Sequence, residues 1–283
     1  MDERSSTGYG VSAGVALANA LAHAGLYVFE TQDAQRLAPS GIEKTRVPYL
    51  LKVLTDAGWL VRLRRDLYAG TGRLPGGVDI PPFVIATSLV TPSAISHWSA
   101  LAHHDLTDQT PLVVTATTTR RVVTPSICTG RKGESRHVWH VAGIDCRYVT
   151  VIPQRFGFGI DMVWLDERFR VPVTDRERTV LDLFAMPRHF GGVGEGLAVL
   201  DRALAALDLE RLVGYALRYQ STTLAKRLGW SLERAGVEIK TLMPLLELPA
   251  VSYSLLDPGR PRRGEHDRRW KLIVNIAADD DRG

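Results

Sequence analysis

Apolar residues recur at helical spacing in three segments near the start of the chain. We predict helices over residues 12–29, 32–37 and 45–57, with Thr31 as the N-cap of the second. Pro48 is compatible with the third helix because it falls in the first turn, where amide hydrogens have no intrahelical partner. The buried stripe predicted for this third helix consists of Val47, Leu50, Leu51 and Leu54.

Two short apolar segments follow the third helix and indicate a tight hairpin. Gly58 ends the helix, and residues 59–61 and 67–68 are predicted as strands that flank a turn at residues 64–66. Three helices followed by a hairpin predict a winged-helix domain, in which the third helix enters the major groove of DNA beside the hairpin wing. The predicted DNA-binding residues are Lys44, Thr45, Arg46, Tyr49, Lys52, Arg62, Arg64 and Arg65.

The predicted DNA-binding residues suit different contacts. Arg46 can pair with two acceptors of a guanine, and Tyr49 can contact a phosphate or a thymine methyl group. The hairpin arginines are better suited to hold phosphates or to enter the minor groove. Charge supports this interpretation, because residues 44–73 carry seven basic and two acidic side chains, an excess of +5, whereas the whole chain carries +4.

Prolines and glycines between residues 71 and 82 indicate a linker, and the pattern of apolar positions changes beyond it. We predict a winged-helix domain over residues 1–75 and a larger mixed α/β domain with a helical C-terminal part over residues 76–283. The overall class is then α+β. The second domain has predicted helices at residues 83–89, 93–101, 174–186 and, repeatedly, 193–235, and predicted strands at residues 112–118, 138–140, 145–151 and 161–164.

The composition argues against several classes of protein. No window holds the eighteen or more uninterrupted apolar residues that a membrane helix needs, and the start MDERSST is acidic where a secretion signal is basic. We therefore expect a cytoplasmic protein without membrane contact. The two cysteines, Cys128 and Cys146, stand apart from other metal-ligating residues, and we expect both to be buried thiols.

Three features resemble fragments of enzyme sites but lack the partners that catalysis needs. His97, His103 and His104 have no further group at metal-ligand spacing, so we interpret them as structural. The glycine-rich residues 191–196 match neither a dinucleotide fingerprint nor a phosphate loop. Residues 238–240, Glu-Ile-Lys, resemble half of a metal-nuclease site but follow a helical pattern instead of an aspartate-bearing strand. We expect no catalytic activity, no cofactor and no metal.

Four stretches of the second domain, taken in order, resemble one known family. They are SHWSAL at residues 96–101, HDLTDQ at 104–109, DRERTVLD at 175–182 and AKRLGW at 225–230. Behind a winged helix, this ordered set is similar to the AbiEi family of antitoxins, in the arginine-rich and alanine-rich style of a mycobacterial member. The resemblance covers about residues 11–236.

The resemblance implies a regulator and antitoxin of a toxin–antitoxin system. In that family the winged helix binds inverted repeats in its own promoter and represses the operon, and the remaining domain opposes a nucleotidyltransferase toxin encoded beside it. We accordingly expect double-stranded DNA and a cognate toxin as partners, and a monomer or weak dimer. The residues that match the basic helix and wing positions are Lys44, Arg46, Lys52, Arg62, Arg64 and Arg65.

Two alternatives stay open on the sequence. One is a ligand-responsive winged-helix transcription regulator whose second domain senses a small molecule and has no toxin partner. The other is a nucleic-acid-processing enzyme that uses the residues around Glu238 and Lys240. A neighbouring nucleotidyltransferase gene would argue against the first, and inertness toward DNA and RNA in the presence of metal would argue against the second.

The family resemblance does not account for a second basic segment near the end of the chain. Residues 257–271 carry six basic and three acidic side chains, an excess of +3. A solvated loop is our first interpretation, with a second nucleic-acid contact or a toxin-binding edge as the alternatives. The candidate contact residues in this segment are Arg260, Arg262, Arg263, Arg268 and Arg269.

Overall fold

The chain forms two compact units in a computed structural model, which describes residues 3–74, 77, 79–124 and 138–276. The first unit comprises Met1–Thr91, Val123–Cys146 and Trp164–Val171, and the second comprises Pro92–Val122, Arg147–Val163 and Pro172–Gly283. The domain boundary predicted at residues 75 and 76 lies outside the described residues and stays a prediction. Cys128 also lies outside them, whereas Cys146 is buried as predicted.

The first unit begins with the elements of a winged-helix domain. Its helices are α1 (Glu3–His23), α2 (Thr31–Leu37) and α3 (Val47–Asp56), and a 3-10 turn over Lys44–Arg46 precedes α3. Its strands are β1 (Val28–Glu30), β2 (Leu60–Arg64) and β3 (Leu67–Gly70), which form an antiparallel sheet in the order β1-β3-β2. A further helix, α4 (Pro82–Leu89), follows the hairpin.

Strand β1 replaces the end of the first predicted helix. The chain leaves α1 after His23, Gly25 adopts a positive φ of 65°, and Val28–Glu30 then pairs with β3. The prediction of Thr31 as an N-cap is also wrong by one residue. Glu30 is the N-cap of α2 and forms a capping box with Asp33, whose carboxylate accepts the backbone N–H of Glu30 at 2.9 Å.

One apolar core holds the winged-helix elements together. Phe29 from β1 stacks on Tyr68 from β3, with ring centroids 6.1 Å apart, so the strand missed in the sequence contributes a central core residue. The apolar stripe of α3 is buried as predicted. The buried core residues are Leu17, Ala18, Leu21, Phe29, Ala34, Val47, Leu50, Leu51, Leu54, Leu60, Tyr68 and Leu74.

Six strands form a mixed sheet in the middle of the chain, in the order β6-β7-β5-β4-β9-β8. Strand β4 pairs antiparallel with β5, and in parallel with β9 through Ile95 and Val173. The helices α5 (His97–His103) and α6 (Pro153–Phe156) accompany this sheet in the chain order. The strands are β4 (Ser93–Ile95), β5 (Val113–Thr118), β6 (Val138–Val141), β7 (Ile144–Thr150), β8 (Ile160–Trp164) and β9 (Arg170–Thr174).

The prediction of one helix over residues 93–101 is wrong. Residues 93–95 form the interior strand β4, and α5 starts only at His97, whose positive φ of 56° breaks any continuous helix. A short buried strand of small apolar residues lacks the alternation that identifies half-buried strands, and its pattern is therefore indistinguishable from that of a buried helix turn.

The second unit continues as a helical bundle, closed by a small sheet at the end of the chain. Its helices are α7 (Arg176–Ala185), α8 (Val193–Ala203), α9 (Leu209–Arg218), α10 (Thr222–Arg234) and α11 (Ile239–Leu246). The strands β10 (Ser254–Leu255), β11 (Glu265–Asp267) and β12 (Leu272–Val274) follow, in the order β10-β12-β11. The fold is α+β, as predicted. Among the described helices, none has the length and apolarity required to cross a bilayer.

The stretch DRERTVLD, which carries part of the family resemblance, is a buried polar network on α7. Asp175 caps the helix by accepting the backbone N–H of Arg178 at 2.7 Å, and its other oxygen accepts the Tyr215 hydroxyl at 2.7 Å. The Arg178 guanidinium is fully buried, pairs with Asp182 at 3.0 Å, and lies over the Phe158 ring. These contacts join elements of the second unit, so this stretch has a structural role in the fold.

Candidate nucleic-acid interface

Helix α3 presents a polar face opposite its buried stripe. Tyr49 is 52% exposed, and the Lys52 side chain is 75% exposed and forms an ion pair with Asp56 at 3.1 Å, one turn further along the helix. An exposed pair at this spacing contributes only about 0.3–0.5 kcal/mol, so Lys52 can exchange Asp56 for a phosphate at small cost. An exposed tyrosine beside an exchangeable lysine is suited to contact a DNA groove and its backbone.

Lys44, Thr45 and Arg46 lie in the 3-10 turn before α3 instead of in its first helical turn, where the sequence predicted the last two. Lys44 and Thr45 are exposed, and Arg46 is partly exposed. The side chain of Gln35 on α2 donates to the Lys44 carbonyl oxygen at 3.3 Å, which fixes the turn against the preceding helix. The three side chains therefore precede the N-terminal end of α3, the end of a recognition helix that reaches base edges.

The wing is a short hairpin in which the three predicted arginines have different surroundings. Arg65, in the turn, is 91% exposed and only loosely paired with Asp66, at 3.6 Å. Arg62 is exposed on β2, and its Nε donates to the Arg64 carbonyl oxygen at 3.4 Å. Arg64 is instead turned toward the end of β1, where it pairs with Glu30 at 3.1 Å and remains 35% exposed. Arg62 and Arg65 are thus the wing arginines most open to a phosphate, while Arg64 braces the hairpin.

The wing turn is attached to the start of α2 through Asp66. The Thr31 backbone N–H donates to the Asp66 carbonyl oxygen at 3.0 Å, and the Thr31 hydroxyl donates to the Asp66 carboxylate at 3.3 Å. Asp66 adopts a positive φ of 61°, a conformation that aspartate tolerates better than most residues. Glu30, Thr31 and Asp66 position the wing but were not predicted as positioning residues from the sequence. An aspartate in a hairpin turn was the one available signal.

Acidic side chains reduce the positive charge around the candidate interface. The basic segment predicted from the sequence began at Lys44, but the domain also contributes the charges of Glu30, Asp33, Arg36 and Glu43. From Glu30 to Arg73 the chain carries eight basic and five acidic side chains, an excess of +3. The interface is therefore moderately basic. It suits a small number of phosphate contacts, with a correspondingly modest salt dependence.

The second basic segment is ordered and only in part a loop, which corrects the interpretation of residues 257–271 as a solvated loop. Trp270, in the turn between β11 and β12, is fully buried, and its indole N–H donates to the Glu233 carboxylate on α10. Gly229 makes this possible, because a Cβ there would lie 2.1 Å from the Trp270 ring. The burial of Trp270 was not predicted from the sequence, because charged residues surround it on both sides.

The five arginines of the second basic segment have separate environments. Arg269 pairs with Glu233, Arg260 pairs with Asp257 at 3.7 Å, and Arg262 donates to the Tyr253 carbonyl oxygen at 3.3 Å. Arg263 and Arg268 are exposed. Their role as a second nucleic-acid or partner contact stays a prediction.

The histidines that resemble an enzyme site are held by structural contacts. His97 is buried, with its Nδ1 2.7 Å from the Ser96 hydroxyl oxygen, and burial lowers its pKa to about 3. His104 contacts the Thr174 carbonyl oxygen through Nε2 at 2.7 Å, and burial lowers the pKa of His103. Over residues 3–74, 77, 79–124 and 138–276, no three His, Cys, Asp or Glu side chains are grouped so as to hold a metal ion.

The residues that resemble half of a nuclease site lie between two helices. Glu238 precedes α11 as its N-cap residue, and Lys240 lies in the first turn of that helix. The element immediately before them is α10, so the strand that such a site requires is not the neighbouring element.

The fold as a whole is similar to that of a solved mycobacterial protein. The crystal structure of the RV2827C protein from Mycobacterium tuberculosis aligns with 91% of this chain and 89% of its own, with a TM-score of 0.59 and 17% sequence identity. The two proteins share a fold. No protein-family model and no curated protein matches the chain.

Proposed function

We propose that this protein is a DNA-binding transcriptional autorepressor and an antitoxin of the AbiEi type, which counteracts a cognate nucleotidyltransferase toxin. In this proposal the winged helix binds inverted repeats in the promoter of its own operon, and the second unit opposes the toxin. The protein acts in the cytoplasm as a monomer or weak dimer, and it needs no catalytic activity, cofactor or metal.

One observation carries the DNA-binding half of the proposal. The chain order α1-β1-α2-α3-β2-β3 is that of a winged helix, and the polar side of α3 and the turn before it present Lys44, Thr45, Tyr49 and Lys52 to solvent. An exposed face of this kind, at the N-terminal end of the third helix, is where such domains read base edges. Arg65 at the wing turn adds an exposed cation for a phosphate.

The antitoxin half rests on resemblance. The stretches at residues 96–101, 104–109, 175–182 and 225–230 occur in the order expected of AbiEi proteins. The shared fold with the mycobacterial protein RV2827C extends over both units, which supports reading these stretches as parts of one architecture.

The DNA-binding half is tested with a labelled fragment of the chain's own upstream region and the purified full-length protein. We expect Arg46→Ala to reduce the preference for the inverted repeats over scrambled repeats, because Arg46 is assigned to a base edge. We expect Arg65→Ala to weaken binding to both sequences by a similar factor, because phosphates carry no sequence information. If the wild type bound the inverted repeats and the scrambled repeats with equal affinity, the autorepressor assignment would be wrong.

The antitoxin half is tested by co-expression with the adjacent gene, with growth and co-purification measured together. Wild-type protein should restore growth, and a Lys44→Ala, Arg46→Ala, Lys52→Ala triple variant should restore it too while losing promoter repression. Continued growth arrest with the well-expressed wild type would contradict the antitoxin role. It would favour the ligand-responsive regulator instead.

A further inference from the structure

A cavity of about 410 Å³ lies at the end of α7, in the second unit. Its basic lining groups are Arg188, His189 and Arg227, and Pro258 and the residues from Ala185 to Pro187 complete the wall. Among the described residues that line it, none carries a carboxylate. A neighbouring cavity of similar volume shares Arg188 and Pro258, and its lining includes the carboxylate of Asp257. We call the first cavity the Arg188 pocket.

The hydrogen bonds described for the two arginines of the Arg188 pocket all go to neutral carbonyl oxygens. Arg188 donates to the Pro258 carbonyl oxygen at 2.8 Å, and Arg227 donates to the carbonyl oxygens of Phe184 and Leu255 at 2.9 and 3.0 Å. Arg227 is only 6% exposed. Its bond to Phe184 is made to the negative C-terminal end of the α7 dipole, which carries only about half an elementary charge. The full positive charge of the guanidinium therefore exceeds the negative charge that it meets there.

Burial lowers the pKa of Arg227 to about 10 and the charge of Asp257 partly opposes this shift, but the direct contacts of Asp257 lie outside the Arg188 pocket. One carboxylate oxygen accepts the backbone N–H of Val193 at 3.1 Å, at the start of α8, and lies 3.7 Å from Arg260. The other oxygen accepts the backbone N–H of Gly259 at 2.7 Å. Asp257 therefore offsets the positive charge of the pocket only in part, because its hydrogen bonds and ion pair are made to Val193, Gly259 and Arg260.

Unpartnered buried nitrogen atoms cluster around the same place. Within the described part of the chain, five buried side-chain polar atoms have no hydrogen-bond partner, and three of them are His97 Nε2, Arg147 Nε and Arg227 Nε. The His97 ring lies edge-on to the His189 ring, with centroids 5.7 Å apart. Arg147 is close enough to lower the pKa of His189 further, after burial, which is the main cause. Buried nitrogen groups without acceptors cost free energy unless something compensates them.

We propose that the Arg188 pocket binds a phosphate group. Phosphate supplies several acceptor oxygens and the negative charge that this region lacks, and guanidinium groups are well matched to it. Arg188 and His189 contact the ligand, and the buried Arg227 and the partly buried Arg147 add their positive charge. The volume suits a small phosphate-bearing molecule. The site consists of second-unit residues only and does not rest on the proposed function.

The test is titration calorimetry of inorganic phosphate into the full-length protein, in buffers whose ionic strength is kept constant with chloride. We expect saturable binding to the wild type and at least a tenfold loss of affinity in Arg188→Ala, with a smaller loss in Arg188→Lys. Arg218→Ala is the matched control, because Arg218 is also a surface arginine whose guanidinium donates to one backbone carbonyl, that of Gly157, at 2.9 Å. The proposal would be overturned if phosphate binding to the wild type did not saturate. It would also be overturned if Arg188→Ala and Arg218→Ala lost affinity for phosphate equally.

Two further probes separate the sources of such a phosphate. Adenosine 5′-monophosphate represents a free small ligand, and a random 20-base-pair duplex represents a nucleic-acid backbone. A loss of affinity in Arg188→Ala for the nucleotide alone assigns the pocket to a small ligand. If Arg188→Ala also loses affinity for the duplex, and by a similar factor, the pocket is assigned to the DNA backbone. Unchanged affinity for both probes and for inorganic phosphate rejects the site.

Discussion

The carboxylate of Asp66, in the turn of the wing, accepts a hydrogen bond from the hydroxyl of Thr31, the first residue of α2, at 3.3 Å. A backbone hydrogen bond between the same residues, at 3.0 Å, doubles the connection. The wing is therefore attached to the helix that precedes the candidate recognition helix. This attachment limits how far the exposed Arg65 can move relative to α2.

Substitution of Asp66 should distinguish the side-chain bond from the backbone conformation. Asp66→Ala loses the bond and keeps a positive φ that alanine adopts poorly, so we expect the free energy of unfolding to fall by about 1–2 kcal/mol. Asp66→Gly loses the same bond without that strain and should cost about 0.5–1 kcal/mol. Urea unfolding measures both. Equal stability of the two variants would show that the turn does not hold this conformation in solution.

Two helical glycines should respond in opposite ways to alanine. Gly229→Ala places a methyl group into the Trp270 ring, which is pinned by its bond to Glu233, and should destabilise the protein by about 1–3 kcal/mol. Gly214→Ala on α9 meets no atom within 4 Å and should stabilise the protein by about 0.5–1 kcal/mol. Thermal unfolding of both variants measures the contrast. A neutral Gly229→Ala would mean that Trp270 is not seated against α10.

Two ion pairs of identical helical spacing should differ in their effect on stability because only one is buried. Arg178→Met leaves the buried Asp182 carboxylate without its charged partner and should destabilise by about 3–5 kcal/mol. Lys52→Met, in the exposed pair with Asp56, should change stability by less than about 0.5 kcal/mol. Chemical denaturation of both variants supplies the measurement. Similar small losses would contradict the buried network on α7.

Elements long enough to show a regular apolar period could be predicted from the sequence, and shorter ones could not. Helix α3 was foreseen because its buried stripe recurs regularly, and strands β5 and β7 were foreseen to within a residue or two at their ends. Strands β1 and β4 were missed because each has three residues, too few to establish a period of two. Long-range pairing with a neighbouring strand, which no local pattern encodes, determines their conformation.

Stability should fall with acid because of His97. Its pKa is lowered from 6.5 to about 3 by burial in the folded protein. Above pH 6.5 the imidazole is neutral in both states. Below it, the unfolded chain binds a proton that the folded chain does not, so stability decreases as the pH falls, by about 2 kcal/mol at pH 5.

The contribution of His97 can be isolated by comparison with His97→Asn, because asparagine tolerates the positive φ at this position. Unfolding free energies of both proteins are measured at pH 7 and pH 5. The wild type should lose about 2 kcal/mol more than the variant over this interval. Parallel losses would mean that His97 is protonated, or exposed, in the folded state.

The candidate site was predictable as a set of residues but not as a set of roles. The outward positions of Tyr49 and Lys52 follow from the buried stripe on the same helix. The bracing role of Arg64 depends on Glu30, which is distant in sequence and belongs to the strand that was missed. Arg64 and Arg65 count equally in the net charge of the segment. Their roles differ because Arg64 pairs with Glu30, whereas Arg65 is almost fully exposed.

The salt dependence of DNA binding tests the central claim most directly. Affinity for a duplex of the upstream region is measured by fluorescence anisotropy between 50 and 200 mM salt, for the wild type, Arg65→Ala and the exposed second-unit control Arg176→Ala. Loss of one phosphate contact should reduce the slope of log affinity against log salt by about 0.9 in Arg65→Ala. The control should keep the wild-type slope. Salt-independent binding of the wild type, or the same slope in all three proteins, would contradict a DNA-binding wing.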